Sequence, residues 1–482
     1  MRSGQVSDFC ISASPFIFIV MYWYISFLRP PPVSVESGGT ITITPQVAND
    51  LRTELRYDPT EIYYTWQRTE PSIQPSLPSE HLTSFVPPES TYRPLSIPLP
   101  AKAGIGEKWR LCLFAPGPPA SSLRSDSVET GRQDILALTG PSAKCSPISV
   151  WSEGIEIVRP AGASTGGVTK GVGGQGGKGR AKGKGKAEDK DKAKGKGKEK
   201  DETVKQTRIT REWSTPSGVL KVVEQTSFDL DKKIWDSGLA LSSWLYRHIP
   251  AAIAHPADTS DLPKPEPRAR FLLGYVTAVL GITDHAHNII ELGSGTGLVS
   301  IALHSMIGAK AMSNRGRIIA TDLESALELM DENMSLNQSS NAPEADEGLC
   351  VHARVLDWDQ PLPAWISDDS RDVGKRWPSL IISADVTYNT ASFPSLVRTL
   401  TALLRPGSPD EKQPMLLLAY KQRDPGEREL WKMLEDVGIV MRLADTIEGA
   451  DGGEGAVEIW LGSCEESTMM RYDLSDYEDT TA

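Results

Sequence analysis

Cysteine is scarce. The 482-residue chain has five (Cys10, Cys112, Cys145, Cys350 and Cys464), scattered with no CxxC spacing. That pattern indicates neither a structural zinc site nor a disulfide framework, and it fits a reducing compartment. No GKS or GKT is present, which excludes a Walker A phosphate loop. Hydrophobic residues make up 39% and charged residues 24%, a balance that excludes a wholly disordered, collagen-like or polytopic membrane chain. A formal net charge of −12 disfavours nucleic-acid binding by the chain as a whole, but the charge is uneven. Lys170 to Lys205 holds twelve Lys and one Arg against six acidic residues, a local +7 that leaves −19 elsewhere.

The length exceeds one ordinary domain, so two domains and a linker are expected. Phe9 to Leu28 runs twenty residues without a charge, which is transmembrane length. Arg2 precedes it, Arg29 and Pro30 to Pro32 follow it, and there is no small-residue cleavage site nearby. Three readings of residues 1–32 stand: a membrane anchor, an artefact of gene-model translation upstream of the true start, or a buried strand or helix. Residues 33–160 are rich in Pro, Ser and Thr, with short β-like runs at Thr40 to Ile43, Ile62 to Trp66, Trp109 to Phe114 and Ile155 to Val158. They read as a small β-sandwich or a loosely folded accessory region with no catalytic constellation. Residues 161–206 alternate Gly and Lys and lack core-forming side chains, the composition of a disordered linker. Its basic charge suits RNA, anionic lipid or an acidic protein face; a solvated spacer is the plainer reading.

From residue 207 to 464 helical patterns alternate with apolar runs: His287 to Gly293, Gly316 to Leu323, Leu349 to Trp358, Leu380 to Tyr388 and Met415 to Lys421. Such alternation predicts an α/β domain with a mostly parallel sheet covered on both faces. Only a short, Gly-rich stretch separates the last two runs, Ile439 to Ile447 and Val457 to Gly462, so they should pair as an antiparallel hairpin at the sheet edge. Residues 465–482 read as an acidic, frayed tail.

The chemistry-bearing motif is Glu291-Leu-Gly-Ser-Gly-Thr-Gly297, placed after an apolar strand and opening a helix. Gly293, Gly295 and Gly297 permit positive φ and close backbone approach, so a ligand can lie against the strand end and the helix N-terminus. The dehydrogenase spacing GxGxxG fits imperfectly. Asp322, at the end of the next strand, is placed to accept hydrogen bonds from both ribose hydroxyls of a nucleoside; a helix N-cap is the alternative. After the third strand, Asp357-Trp358 offers an aromatic face for adenine and a carboxylate for its amine, or simply a core tryptophan.

These residues resemble the seven-strand S-adenosylmethionine-dependent methyltransferases over roughly Thr207 to Cys464. Within them the chain looks like the methyltransferase-like protein-lysine N-methyltransferases (the lysine methyltransferase family 16 type). Ile234-Trp-Asp-Ser-Gly-Leu-Ala-Leu241, Leu356-Asp-Trp358 and Ala384-Asp-Val-Thr-Tyr388 carry that narrower match. The resemblance implies a Rossmann-like seven-stranded sheet and S-adenosylmethionine as cofactor. Trp235 and Trp358 would flank it, Gly293, Ser294 and Gly295 approach its methionyl part, and Asp322 hold its ribose. Glu291, Gly297 and Asp357 complete the cofactor-binding motifs, and Ala384 would line the pocket. Asp385 and Tyr388 would stand at the target-lysine entrance as the catalytic pair; no metal is implied. The implied partner is a protein substrate of the translation elongation factor or chaperone class, with no specific nucleic acid and a cytoplasmic monomer unless 9–28 anchors it to a membrane.

Two loops depart from the pattern, Ala251 to Pro267 and the stretch between Asn337 and Leu349. The basic Tyr420-Lys-Gln-Arg423 segment is expected either to face substrate or to be a solvated strand end. The rival functions are a methyltransferase for a small molecule or an N-terminal amine, an inactive scaffold, and, third, a dehydrogenase.

Overall fold

The structure, a computed structural model, describes residues 22–116, 131–139, 146–160, 204–227, 229–254, 287–308, 316–338, 349–366, 377–405, 413–449 and 455–464. The Lys/Gly tract to residue 203, the acidic tail, Phe9 to Met21 and most of both departing loops lie outside the described residues.

The first half is β-rich. Its strands are β1 (Tyr24–Arg29), β2 (Ser34–Glu36), β3 (Thr40–Ala48), β4 (Thr60–Glu70), β5 (Glu80–Phe85), β6 (Leu95–Pro98), β7 (Lys108–Phe114), β8 (Gln133–Asp134), β9 (Val150–Ser152), β10 (Ile155–Val158), β11 (Arg208–Thr215) and β12 (Gly218–Gln225). Three of them form a sheet ordered β1-β3-β6, and the other nine a second sheet along β12-β11-β9-β7-β10-β2 with β4, β5 and β8 at its side. Side chains alternate along each strand, so Ile41 and Ile43 turn inward while Thr40 and Thr42 face out. Ile25, Phe27, Ile41, Ile43 and Ile97 of the small sheet thereby meet Ile62, Trp66, Leu111, Ile155 and Ile209 of the large one in a single apolar core.

The buried-strand reading fits the described end of the apolar run. Tyr24, Ile25 and Phe27 are buried in β1, which pairs antiparallel with β3, so the described end of the apolar run is a strand of this unit. Among the described residues no helix is long and apolar enough to cross a membrane. Beyond the expected boundary at 207, β11 and β12 pair with each other and β11 also pairs with β8 and β9. The cause is visible in Arg211 of β11: its guanidinium pairs with Glu224 of β12 at 2.5 Å and donates to the carbonyls of Ile25, Ile148 and Ser149. A buried guanidinium needs those acceptors, and only the β-rich unit supplies them.

The second half contains α1 (Asp236–Ala254), β13 (His287–Leu292), α2 (Leu298–Gly308), β14 (Gly316–Asp322), α3 (Glu324–Asn337), β15 (Leu349–Val355), β16 (Leu380–Ala384), α4 (Phe393–Leu403), β17 (Met415–Lys421), α5 (Glu429–Asp436), β18 (Ile439–Ile447) and β19 (Val457–Cys464). They build a seven-stranded sheet ordered β15-β14-β13-β16-β17-β19-β18. The pairs from β15 through β17 are parallel, and β19 runs antiparallel to both β17 and β18. Every residue of β17 is buried, as a central strand covered on both faces requires. Ile289, Ile318, Ile382 and Leu417 pack beneath α1, α2 and α3, while Ile290, Ile319, Ile381 and Leu416 pack beneath α4 and α5.

The two halves share a core. Tyr22, Tyr24 and Trp213 join the cluster around α1 and the sheet. Asn333 of α3 bonds both polar backbone groups of Val223 in β12, which docks the β11–β12 hairpin on the α/β part.

Candidate functional site

Parallel α/β sheets leave a crevice at the carboxyl ends of their strands where the order reverses. Here β13 is that point, flanked by β14 and β16. A cavity of about 300 Å³ opens there, lined by the ends of β13, β14 and β16, the 356–359 segment after β15, and the 230–238 segment leading into α1. That volume lies at the lower end of the range for small-molecule sites. Trp235, Glu291, Gly293, Ser294, Gly295, Asp322, Asp357, Trp358, Ala384, Asp385 and Tyr388 all line it.

Gly297 does not. Its φ is +79° and an added Cβ would stand 2.9 Å from Met330 Cγ, so it lets α2 pack against α3. Gly293, at φ +63°, faces the cavity wall: a Cβ would meet Val386 at 2.8 Å and Trp358 at 3.5 Å. Glu291 also anchors the helix that follows the loop. Its Oε2 accepts from the Ser300 amide at 2.9 Å and the Ser300 hydroxyl at 2.5 Å, so the carboxylate anchors the first turn of α2. Burial pushes its pKa up to about 7, against the lowering effect of those bonds.

Asp322 closes β14. Its Oδ2 accepts from the Gly295 amide at 2.8 Å and its Oδ1 from the Leu323 amide at 2.7 Å, which ties the glycine loop to the next strand end. Burial raises its pKa, and the nearby Asp231 carboxylate adds to the rise. Asp357 holds a turn by accepting from the Asp359 amide at 2.9 Å. Trp358 is half-buried beside Gly293, and its carbonyl is held by Arg398. Across the cavity, the Trp235 indole donates to the Leu230 carbonyl at 2.9 Å. The two indoles form apolar walls, with glycine backbone and the Asp322 carboxylate between them.

Asp385 is buried in the left-handed region at φ +56°, a conformation Asp tolerates better than most side chains. Its Oδ2 accepts from the Ser237 amide at the N-terminus of α1 at 2.8 Å, and its Oδ1 from Arg423 at 3.0 Å. Tyr388 is 58% exposed at the rim. Burial, then the Asp322 and Asp231 carboxylates, raise its phenol pKa, so it remains a hydrogen-bond donor.

Neither reading of the 420–423 segment holds. Lys421 and Arg423 are buried in a charge cluster between the two halves. Lys421 donates to Asp236 at 2.6 Å, Tyr24 donates to the same carboxylate at 2.8 Å, and Arg423 bonds Asp50 and Asp385. Burial and the neighbouring Asp50 push the Asp236 pKa up to about 6 despite Lys421. Against the cost of burial, Asp236 and Asp50 hold the Lys421 ammonium above its ordinary value. Asp50 and Asp231 stood in no noted motif, whereas Ser237 lies within the Ile234 to Leu241 stretch and Arg423 within the Tyr420 to Arg423 segment.

Residues 214–437 match a family model described as "Lysine methyltransferase". The protein-lysine N-methyltransferase EFM6 of Saccharomyces cerevisiae is 26% identical over 163 residues, 34% of this chain and 61% of that protein. EEF1A lysine methyltransferase 3 of Xenopus tropicalis is 30% identical over 155 residues, covering 32% and 55%. Protein N-lysine methyltransferase METTL21A of the same frog is 27% identical over 155 residues, covering 32% and 59%. The chain thus spans less than two thirds of each of these relatives.

Proposed function

We propose that the chain, whose residues 214–437 match the lysine methyltransferase family model, transfers methyl groups from S-adenosylmethionine to lysine side chains of a protein. One observation carries the reading: the glycine loop, Asp322, Trp358, Asp385 and Tyr388 meet around a single cavity at the switch point of a parallel sheet. The residues fit the cofactor. Gly293 lets the backbone lie against Val386 and Trp358 where a Cβ would clash, two indoles offer faces for a purine, and Asp322 has lone pairs beyond its two amide bonds for ribose hydroxyls.

S-adenosylmethionine, when bound, supplies a methyl group on a positively charged sulfur, already electrophilic. The protein then has to bring up a neutral amine, align it and exclude water. A lysine arrives as an ammonium, with an ordinary pKa of about 10.4, and must release its proton before the nitrogen lone pair can bond to carbon. The exposed rim at Tyr388 leaves a path for that proton to solvent. Asp385 presents negative charge to the incoming nitrogen from a carboxylate fixed on both oxygens. Tyr388 orients the nitrogen by hydrogen bonding or by its ring face. Asp231, Glu291, Asp322, Asp357, Asp359 and Asp385 line the cavity with Lys233 as the one cation among the described residues, a balance that favours a cationic acceptor.

One relative is named for lysine methylation of EEF1A, which supports a translation factor as substrate; a chaperone is the alternative. The β-rich unit ending at β12 is a domain docked on the α/β domain. Calorimetric titration with S-adenosylhomocysteine tests the cofactor reading. The full chain should bind it, Asp322→Ala should lose at least about tenfold in affinity, and Asp385→Ala should bind nearly as wild type. No binding by the wild type refutes the reading.

A further inference from the structure

The candidate acid of the site is wired to a residue far outside the family-matched segment. Asp50 lies in the turn after β3, where its backbone neighbours are fixed: Asn49 Oδ1 accepts from the amides of Thr53 and Glu54, and Asp50 Oδ1 from that of Leu51. The Asp50 side chain has no solvent exposure, and it lies in the cluster between the halves. Arg423 gives it both terminal nitrogens, Nη1 to Oδ1 at 3.3 Å and Nη2 to Oδ2 at 2.9 Å. Asp385 receives only the remaining reach of Nη2, at 3.0 Å. Forked guanidinium–carboxylate pairs are the stronger kind, so Asp50 holds the cation and Asp385 shares it. The same guanidinium sits 5.2 Å from the centre of the Trp235 ring, a wall of the cavity.

We propose that Asp50 is a positioning residue for methyl transfer: by holding Arg423 it fixes the charge that Asp385 presents to the acceptor nitrogen, so the β-rich unit completes the site. This rests on the methyltransferase reading above. Three carboxylates (Asp50, Asp236, Asp385) face two cations (Lys421, Arg423) in the cluster, with Tyr24 donating to Asp236. Neutralising Asp50 releases Arg423 to Asp385 in full, while removing the Arg423 charge leaves Asp385 uncompensated. The two changes act on the acceptor side with opposite sign, which simple damage to the fold does not do.

The test is titration of the full chain with two ligands, S-adenosylhomocysteine and sinefungin. Sinefungin carries an ammonium where the transferable methyl stands, so its affinity relative to S-adenosylhomocysteine reads the charge beside the acceptor. Asp50→Asn should lower that ratio about fivefold with S-adenosylhomocysteine affinity within about twofold of wild type, an electrostatic change of about 1 kcal/mol. Arg423→Gln should raise the ratio. Asp50→Glu, which keeps the ion pair, should restore it, and either of these serves if Asp50→Asn does not fold. An unchanged ratio in Asp50→Asn, or a fall in both Asp50→Asn and Arg423→Gln, overturns the proposal. A wild type that binds both ligands with variants that leave the ratio flat refutes the Asp50 role alone. A wild type that binds neither refutes the cofactor reading and this role with it.

Discussion

Glu291→Gln isolates the carboxyl that anchors the glycine loop. Both bonds from Ser300 end on one oxygen, Oε2, so an amide oxygen there can accept them equally. The Ser294 side chain also bonds this carboxyl, and a hydroxyl can accept from an amide nitrogen as well as donate to an oxygen. Shape and hydrogen bonds are kept, and only the ability to ionise is lost. In the wild type the folded pKa of about 7 stands above the ordinary 4.5. The folded state therefore holds a proton that the unfolded chain releases, and stability falls as pH rises between those two values. At about 1.4 kcal/mol per pH unit the loss totals about 3.5 kcal/mol. The variant has no such slope. Equilibrium urea unfolding followed by tryptophan fluorescence should find the variant gaining about 2 to 3 kcal/mol on the wild type between about pH 5 and pH 8. An equal difference at both pH values would refute the claim that Glu291 is buried without a compensating charge.

The two glycines should separate by readout. Gly293→Ala pushes a methyl group into Val386 and strains a positive φ; it should cost about 1 to 3 kcal/mol and weaken S-adenosylhomocysteine binding in titration. Gly297→Ala strains the α2–α3 contact at Met330; it should lower the unfolding midpoint by a similar amount, about 1 to 3 kcal/mol, with binding of the folded protein unchanged. Tyr388→Phe should slow transfer without altering the alkaline limb of the pH–rate profile, because the raised phenol pKa leaves that limb to the acceptor lysine; a limb that moves in the variant contradicts the neutral-phenol role. Lys421→Met leaves Asp236 with only Tyr24 as a direct side-chain partner in a buried site, and should cost about 3 to 5 kcal/mol in urea unfolding.

Much of the α/β architecture was legible because it is local. Short apolar runs alternating with helical patterns mark parallel strands whose carboxyl ends face one way. Antiparallel closure followed from a connection too short for a crossover helix. Site residues at strand ends were legible for the same reason, since strand order brings those ends together. What was hidden depends on long-range burial. Asp50 sits in a polar Asn-Asp turn with nothing in its neighbours to announce a guanidinium more than three hundred residues away. Lys421 and Arg423 read as a basic strand end, but a docked β unit covers them and turns exposure into pairing. The pairing of the β11–β12 hairpin with β8 and β9 was hidden because a Gly turn between alternating strands looks the same in either sheet. Tyr24 was hidden inside an apolar run whose length suggested a membrane, yet it gives its hydroxyl to Asp236.

The central claim is tested most directly by incubating the full-length chain with radiolabelled S-adenosylmethionine and a lysate of the source cells, then mapping the label by peptide mass spectrometry. The account predicts label on the side-chain nitrogen of a lysine in a discrete protein. It also predicts that Asp385→Asn abolishes the label while still binding S-adenosylhomocysteine. Label confined to small molecules or N-terminal amines, or equal labelling by Asp385→Asn, would contradict it.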